Sequence, residues 1–228
     1  MMLALAAALV LSQSQAGPSS SGNVPPASGS AEIRFSFDHP QLDPAAYTIV
    51  IHEDGNGHYQ STPGPVSASA SDGIGSAPLQ RDIVVRDPLL ESFFMAARAH
   101  HFFAVECETP DSHVAFSGKK TVAYSGPDGR GECTFNWSRD QQLNQLADNL
   151  MAVAYTVHIG SRLAIEHAHS RLGLDSELEE LQEAVKDHRA LEIENIAPEL
   201  QSIAADPAVM NRARNRARAL LNGGASKH

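Results

Sequence analysis

The sequence predicts an α+β fold in which a mostly antiparallel sheet with one inserted helix is followed by an all-helical C-terminal part. Between residues 32 and 137, short runs of β-branched and aromatic residues alternate with Gly and Pro turn signals. Beyond residue 137 no such run recurs, and apolar residues return at every third or fourth position instead. Strands grouped before helices are typical of the α+β class.

Length and composition limit the chain to one main globular unit. It has 228 residues, of which 42% are hydrophobic, and a formal net charge of -10. No stretch approaches the roughly 20 consecutive apolar residues that a bilayer span requires, which excludes an internal membrane protein. The acidic balance opposes binding to a phosphate backbone, so a nucleic-acid partner is not expected.

The N-terminal residues have the pattern of an export signal. The apolar run Leu3 to Leu11 has the length of a signal-peptide core, and Ser14-Gln15-Ala16 fits a cleavage site. We therefore predict a signal peptide over residues 1–16, a disordered leader over 17–31, and a periplasmic or secreted mature chain. Met1-Met2 supplies no positive charge, so a disordered Ala-rich start or a misassigned start codon is the alternative.

The β-rich domain is predicted to span residues 32–137 and to begin with period-two strands. Apolar and polar residues alternate from Ile33 to Phe37, which is the pattern of a half-buried strand. The run Tyr47 to His52 is followed by Asp54-Gly55-Asn56-Gly57, which predicts a hairpin that returns through His58 to Ser61. Further strands are predicted at residues 80–86, 102–107, 114–116, 121–124 and 133–137.

One helix is inserted between these strands. Asp87 is predicted as its N-cap and Pro88 as its first residue, because proline is favoured at the first helical position. An apolar stripe continues through Phe93 and Phe94, and the helix is predicted to reach His101. Since the stripe lies on one side, we expect the helix to pack on the sheet.

A helical segment is predicted over residues 138–221, with a short tail at 222–228. It begins at a capping-box pattern formed by Ser138 and Gln141. Three helices are predicted in it from start and stop signals: residues 138–172 with Gly173 as C-cap, a helix that opens at Ser176 and carries Leu191, and a last helix that opens at Asp206-Pro207.

Several short motifs in this chain occur together. They are Tyr47 to Ile51 with Asp54-Gly55 and Tyr59, Phe93-Phe94, His101 to Phe103, Gly118 to Thr121 with Tyr124, Thr134 to Asn136, Ile196 to Leu200, Asp206 to Val209 and Arg216 to Leu221. With them the chain resembles uncharacterised exported proteins of soil bacteria over roughly residues 32–221. The resemblance implies location and fold, and no activity or catalytic residue. The last segment alone also resembles a single HEAT-type repeat, although such repeats need about three copies to be stable.

Cys107 and Cys133 are the two cysteines, and both fall on predicted strands. In an exported chain they are predicted to form a disulfide, which would stabilise the fold by about 3 kcal/mol. Two buried free thiols are the alternative.

Eleven histidines prompt a search for a metal site. On one helix His167 and His169 lie about 200° apart, so they cannot chelate an ion together. His52 and His58 flank the predicted hairpin turn and are the one local pair retained as weak metal-ligand candidates. Solvent-exposed strand histidines are the alternative, and no cofactor is predicted.

Two short motifs resemble ligand-binding loops without completing them. The run Glu53 to Gly57 lacks the spaced oxygen ligands of a calcium loop, so a hairpin turn is favoured. The run Gly118 to Thr121 matches the end of a phosphate-binding loop, yet the required upstream glycine is His113. A β-turn with two solvated lysines, Lys119 and Lys120, is therefore predicted.

The helical segment is divided by charge. Residues 175–199 hold nine acidic and two basic side chains, whereas residues 206–228 hold one acidic side chain and five Lys or Arg. The opposite signs predict that the last helix faces the acidic helix, with arginine stems along the borders of its buried stripe. Binding to an anionic membrane or a partner is the alternative. The arginines are Arg212, Arg214, Arg216 and Arg218.

No nucleophile, base and orienting group can be assembled from the sequence spacing. We therefore expect a non-catalytic structural or interaction protein of the cell envelope, with an unknown protein partner or small molecule. The first alternative is a small-ligand or metal-binding module that uses the sheet and the loop at residues 62–78. An enzyme of unrecognised type is the less favoured alternative.

Overall fold

A computed structural model of the chain describes residues 30–65, 77–110 and 113–224. An antiparallel six-stranded sheet is followed by helices, which confirms the predicted α+β class. The predicted signal peptide, residues 17–29 of the predicted leader and residues 225–228 of the predicted tail lie outside the described residues. The strands are β1 (Glu32–Asp38), β2 (Ala46–His52), β3 (Asn56–Thr62), β4 (Leu79–Val84), β5 (Lys119–Gly126) and β6 (Gly129–Phe135), in the order β4-β3-β2-β1-β5-β6.

The sheet is built from hairpins around β1. Phe35 of β1 lies opposite Ile49 of β2 on one side and Val122 of β5 on the other. The predicted hairpin between β2 and β3 is confirmed: Gly55 has a positive φ of 83°, and Asp54 Oδ1 accepts a hydrogen bond from the Asn56 N–H at 2.9 Å. Glycine adopts a positive φ at little cost, and a Cβ at this position would meet the Val85 carbonyl oxygen at 2.5 Å, which explains the glycine.

Five α-helices complete the described part of the chain. They are α1 (Leu89–Ala99), α2 (Gln141–His169), α3 (Leu174–Lys186), α4 (Ala197–Ala205) and α5 (Asn211–Gly224), with 3₁₀ turns at His101–Phe103 and Ile193–Ile196. Among these described helices, none combines the length and apolar character that a membrane crossing requires.

Two hydrophobic cores share the long helix α2. The first lies on the inner face of the sheet, where β1 side chains such as Phe35 pack with Phe93 of α1 and Leu150 of α2. The second lies among the helices, where Leu163 of α2 packs with Leu178 of α3 and with α4 and α5. Because one continuous helix contributes to both cores, the β-rich and helical parts are held together through α2.

Two predicted strands are wrong. At residues 102–107 the chain begins with a turn in which His101, Phe102 and Phe103 all have positive φ, between 52° and 64°. This turn packs against β6, where a Cβ on Gly131 would meet the Ala104 nitrogen at 2.5 Å. A short apolar run such as residues 102–107 predicts a strand, because hydrophobic pattern does not reveal a left-handed turn.

The predicted strand at residues 114–116 is irregular instead. The Asn136 side chain, rather than a neighbouring strand, binds two backbone groups in and next to this segment. Asn136 Nδ2 donates to the Ala115 carbonyl at 3.2 Å, and Asn136 Oδ1 accepts from the Ser117 N–H at 2.8 Å. A side chain that replaces a strand partner in this way leaves no trace in hydrophobic periodicity.

Helix ends also differ from the prediction. Helix α1 begins at Leu89 with Pro88 as N-cap, and α2 has Asp140 as its N-cap because Asp140 accepts from the Gln142 and Leu143 N–H groups. Helix α2 ends at His169, and Gly173 precedes α3 instead of capping α2. Leu191 lies beyond the end of α3. Asp206 is the C-cap of α4 rather than the start of α5.

Candidate functional site

A cavity lies where the β-rich and helical parts meet. Its volume is about 630 Å³, within the range of roughly 300 to 1,000 Å³ typical of small-molecule sites. One wall is the connection between β4 and α1, and the others come from the end of α3, the chain that follows it, and the end of α5. Three separate segments therefore have to fold together before the cavity exists.

The walls of the cavity are mainly aliphatic. Ala190, Ile193 and Leu220 are buried in the helical core and present part of their surface to the cavity, and Pro88 and Leu89 face them from the sheet side. Val185, Leu191 and Ala219 also contribute to the apolar lining. Removing apolar ligand surface from water against such walls is favourable by about 25 cal/mol per Å².

One ion pair joins two of the segments that line the cavity. Glu192 Oε2 accepts from Arg86 Nη1 at 3.0 Å, and Glu192 Oε1 accepts from the Arg86 backbone N–H at 2.9 Å. The Glu192 side chain is 8% exposed, and burial raises the pKa of its carboxyl, partly offset by the bonds from Arg86. Glu192 itself has a left-handed backbone, φ 55°, which directs the chain back toward β4.

Two potential cations at the cavity have no partner on the described part of the chain. The side chains of Lys186 and His188 make no hydrogen bond or ion pair with other described residues. Asp87 and Glu194 also line the cavity, so its rim carries both signs of charge. A bound molecule therefore meets apolar walls and a few polar groups at the rim, the combination typical of ligand sites.

Beside its aliphatic residues, the cavity is lined by side chains that carry amine, imidazole, guanidinium, carboxyl and amide groups. The described residues that line it contain no serine, threonine, cysteine or tyrosine, so the lining supplies no hydroxyl or thiol nucleophile. Lys186, His188, Glu192 and Glu194 of the lining belong to the acidic segment at residues 175–199, whereas Arg86 and Asp87 come from the connection between β4 and α1.

The predicted cysteine pair is joined in the structure. Cys107 and Cys133 form a disulfide with a Cα to Cα distance of 5.8 Å. Cys133 lies on β6, whereas Cys107 lies in the irregular chain after the His101–Phe103 turn rather than on a strand. The bridge fixes this irregular connection to the edge of the sheet, away from the residues that line the cavity.

The two histidines retained as metal candidates each contact a different carboxylate. His58 Nδ1 lies 2.9 Å from Asp82 Oδ1, and His52 Nδ1 lies 4.0 Å from Glu32 Oε2. Neither histidine lines the cavity. Across residues 30–65, 77–110 and 113–224 no group of three or more His, Cys, Asp or Glu side chains is arranged to hold an ion.

The four arginines of α5 divide into two pairs. Arg212 and Arg216 face α3: Arg212 Nη2 lies 2.5 Å from Asp175 Oδ2, and Arg216 Nε lies 3.1 Å from Asp175 Oδ1. The bond from Arg212, with a second from Arg216, lowers the pKa of the Asp175 carboxyl. Arg218 instead donates to the Ala204 carbonyl of α4 at 2.9 Å, and Arg214 Nε is buried without a hydrogen-bond partner among the described residues.

Arg212 and Arg216 thus hold α5 against the acidic helix, and the end of α5 forms one wall of the cavity. The charge division of the tail is therefore connected to the candidate site, although the arginines themselves do not line it.

The chain matches no protein-family model and no curated protein.

Sequence reasoning missed the residues of the cavity. The sequence predicts Arg86 as the end of a strand and shows Glu192 as one of nine acidic side chains. It does not reveal their ion pair, because 106 residues separate the two partners. The sequence does contain one signal in this region, because helical periodicity is interrupted between Lys186 and Ile193. The interruption indicates a connection between two helices. It does not indicate a cavity.

Proposed function

We propose that this chain is an exported protein of the cell envelope that binds a small, mainly apolar molecule without chemical conversion in the cavity between its two parts. The cavity of about 630 Å³ with aliphatic walls is the observation that carries the proposal. Its size suits a single small organic molecule, and the described residues of its lining carry no hydroxyl or thiol nucleophile.

The packing around the cavity supports binding by a preformed site. Ile193 and Leu220 belong to the helical core and are 7% and 6% exposed, so the walls are held by the same contacts that hold α3, α4 and α5 together. A preformed cavity needs little ordering on binding, which favours affinity.

Export is supported by the N-terminal sequence and by cysteine usage. The apolar run Leu3 to Leu11 before Ser14-Gln15-Ala16 has the pattern of a signal peptide. A disulfide between Cys107 and Cys133 is compatible with an oxidising compartment.

Native mass spectrometry of the chain, purified from a bacterial periplasm without organic solvent or detergent, tests the proposal. We expect a fraction of the protein to carry one additional small molecule, which organic extraction removes and chromatography identifies. The Ala219→Trp variant, which places an indole in the cavity wall, should carry none. Ala205→Trp is the matched control, because Ala205 is an exposed alanine at the end of α4 that does not line the cavity. Equal loading of both variants would contradict binding in this cavity.

A further inference from the structure

A group of hydrogen-bonded polar side chains lies outside the cavity, where the irregular chain before β5 meets β6. Lys120, predicted as a solvated turn residue, is 8% exposed and lies on the inner face of β5 between Phe37 and Phe135. Its Nζ donates to Ser117 Oγ at 3.2 Å and to the Asn136 carbonyl at 2.9 Å. Its neighbour Lys119 is exposed, so only one of the two lysines is withdrawn from water.

Asn136 orients both Ser117 and Lys120. Its side-chain oxygen accepts from the Ser117 N–H at 2.8 Å and from Ser117 Oγ at 3.2 Å, while its backbone carbonyl holds Lys120 Nζ. The Asn136 N–H in turn donates to Glu108 Oε2 at 2.5 Å. A hydroxyl, an adjacent amine and a group that fixes both are the arrangement from which activated nucleophiles are built.

The local backbone explains why the hydroxyl and the amine meet. Ser117 and Lys120 are three residues apart, and Gly118 between them has a positive φ of 115°. A side chain at Gly118 would overlap the ring of Phe37, so the turn requires glycine. The same Ser-x-x-Lys spacing joins a lysine to a nucleophilic serine in acyl-transfer enzymes.

We propose that Ser117 is a nucleophile that accepts an acyl or phosphonyl group, with Lys120 as its general base. In this step Ser117 Oγ forms a bond to the electrophilic carbon or phosphorus, and the bond from that atom to its leaving group breaks. The hydroxyl proton passes to neutral Lys120 Nζ and then to the departing group. The oxidation states do not change, and the electrophile is the only co-reactant.

The surroundings of Lys120 set the pH range of this reaction. Burial lowers the pKa of the Lys120 ammonium, while the carboxylates of Asp148 and Glu108 oppose that change. A neutral amine is therefore more accessible than on an exposed lysine, and the reaction rate should rise with pH as Lys120 loses its proton.

This proposal is independent of small-molecule binding in the cavity. Neither Ser117 nor Lys120 lines that cavity. An occupied cavity with an inert Ser117, or the converse, distinguishes the failure of one proposal from the failure of the other.

The test uses a fluorophosphonate probe, which labels activated serines with loss of fluoride. Full-length protein is incubated with the probe between pH 7 and pH 10, and the modified residue is located by peptide mass spectrometry. We expect one label on Ser117, a rate that rises with pH, and no label on Ser117→Ala. Lys120→Met should label at least about 100-fold more slowly, since general bases contribute on the order of 10² to 10⁴ in rate.

Two further variants separate a base from a structural cation. Lys120→Arg keeps a cation that can donate to Ser117 and Asn136 but cannot accept a proton at these pH values, so it should fold and remain unlabelled. Lys119→Met alters the exposed neighbour and should label at the wild-type rate. Absence of label on the wild-type protein at pH 10, label on other residues only, or wild-type labelling of a folded Lys120→Arg variant would overturn the proposal.

Discussion

Asn195 pairs with Val84 at the exposed edge of β4. Asn195 Oδ1 accepts from the Val84 N–H at 2.8 Å, and Asn195 Nδ2 donates to the Val84 carbonyl at 3.0 Å. These are the two bonds that a neighbouring strand would make with Val84. The edge of the sheet is therefore closed at this point by a side chain of the helical part, next to the Arg86 and Glu192 pair of the cavity. Open strand edges promote association between chains, so this contact protects the sheet as well as positioning the cavity wall.

The first prediction concerns that contact. Asn195→Ala should lower the free energy of unfolding by about 1 kcal/mol, because it removes two exposed hydrogen bonds. It should also increase self-association through β4. Urea denaturation and size-exclusion chromatography measure the two effects. Asn215→Ala is the control and should stay within about 0.5 kcal/mol of wild type, because Asn215 is an exposed residue of α5 whose side chain accepts from Arg218. Equal stability of the two variants would show that Asn195 does not hold the edge.

The second prediction concerns the two ion pairs that Asp175 forms with Arg212 and Arg216. Asp175→Asn should destabilise the fold at pH 7 by on the order of 2 kcal/mol, since the carboxylate is buried and bonded to charged donors. The pKa of Asp175 is lowered in the folded state, so its contribution is present above the unfolded value of about 3.9 and is lost as pH falls through the folded pKa.

Urea unfolding of wild type and Asp175→Asn at pH 7 and pH 3 checks this prediction. The difference between them should be smaller at pH 3. Asp187→Asn serves as the control, because Asp187 forms an exposed pair with Arg189 and such pairs contribute less than about 1 kcal/mol. A difference between wild type and Asp175→Asn that is the same at both pH values would argue against the ion pair.

Features that depend on the burial of one face are predictable from the sequence, whereas features that depend on backbone conformation are not. The strands around Ile33, Tyr47 and Thr121 were predicted because one face of each is buried, which imposes period two on the sequence. The turn at His101–Phe103 was not, since it depends on a left-handed backbone and on the small size of Gly131 beside it.

The candidate sites were beyond sequence reasoning for a related reason. Arg86 meets Glu192, and Lys120 meets Asn136, only after the sheet and helices have assembled. Burial of Lys120 follows from its place opposite Phe37 and Phe135, whereas the sequence shows it as one of two adjacent lysines. The charge division of the tail did predict that α5 faces α3, although only two of the four arginines carry the contact.

The third prediction concerns the disulfide between Cys107 and Cys133. Replacing both cysteines with serine should lower the free energy of unfolding by about 3 kcal/mol, because the bridge closes a loop with a sequence separation of 26. Differential scanning calorimetry of oxidised, reduced and doubly substituted protein measures the loss. Alkylation of intact protein without reductant should modify neither cysteine, and modification of both would contradict the bridge.

The fourth prediction compares two helical glycines. A Cβ on Gly160 of α2 would overlap the Ile196 side chain, so Gly160→Ala should destabilise the protein by about 1 to 3 kcal/mol. A Cβ on Gly223 of α5 would meet nothing within 4 Å, so Gly223→Ala should be neutral or stabilising by up to about 1 kcal/mol. Thermal unfolding of the two variants under the same conditions measures this difference in sign. Destabilisation by both would indicate that α2 does not approach the Ile193–Ile196 turn so closely.

Titration of the purified protein with the fluorescent probe 1-anilinonaphthalene-8-sulfonate tests binding in the cavity most directly. Wild type and Ala205→Trp should bind one probe molecule per chain, with the same affinity, while fully folded by circular dichroism. Ala219→Trp, also folded, should bind at least about tenfold more weakly, which corresponds to 1.4 kcal/mol. The cavity is rejected as a binding site if all three proteins bind the probe equally, or if none binds it at all.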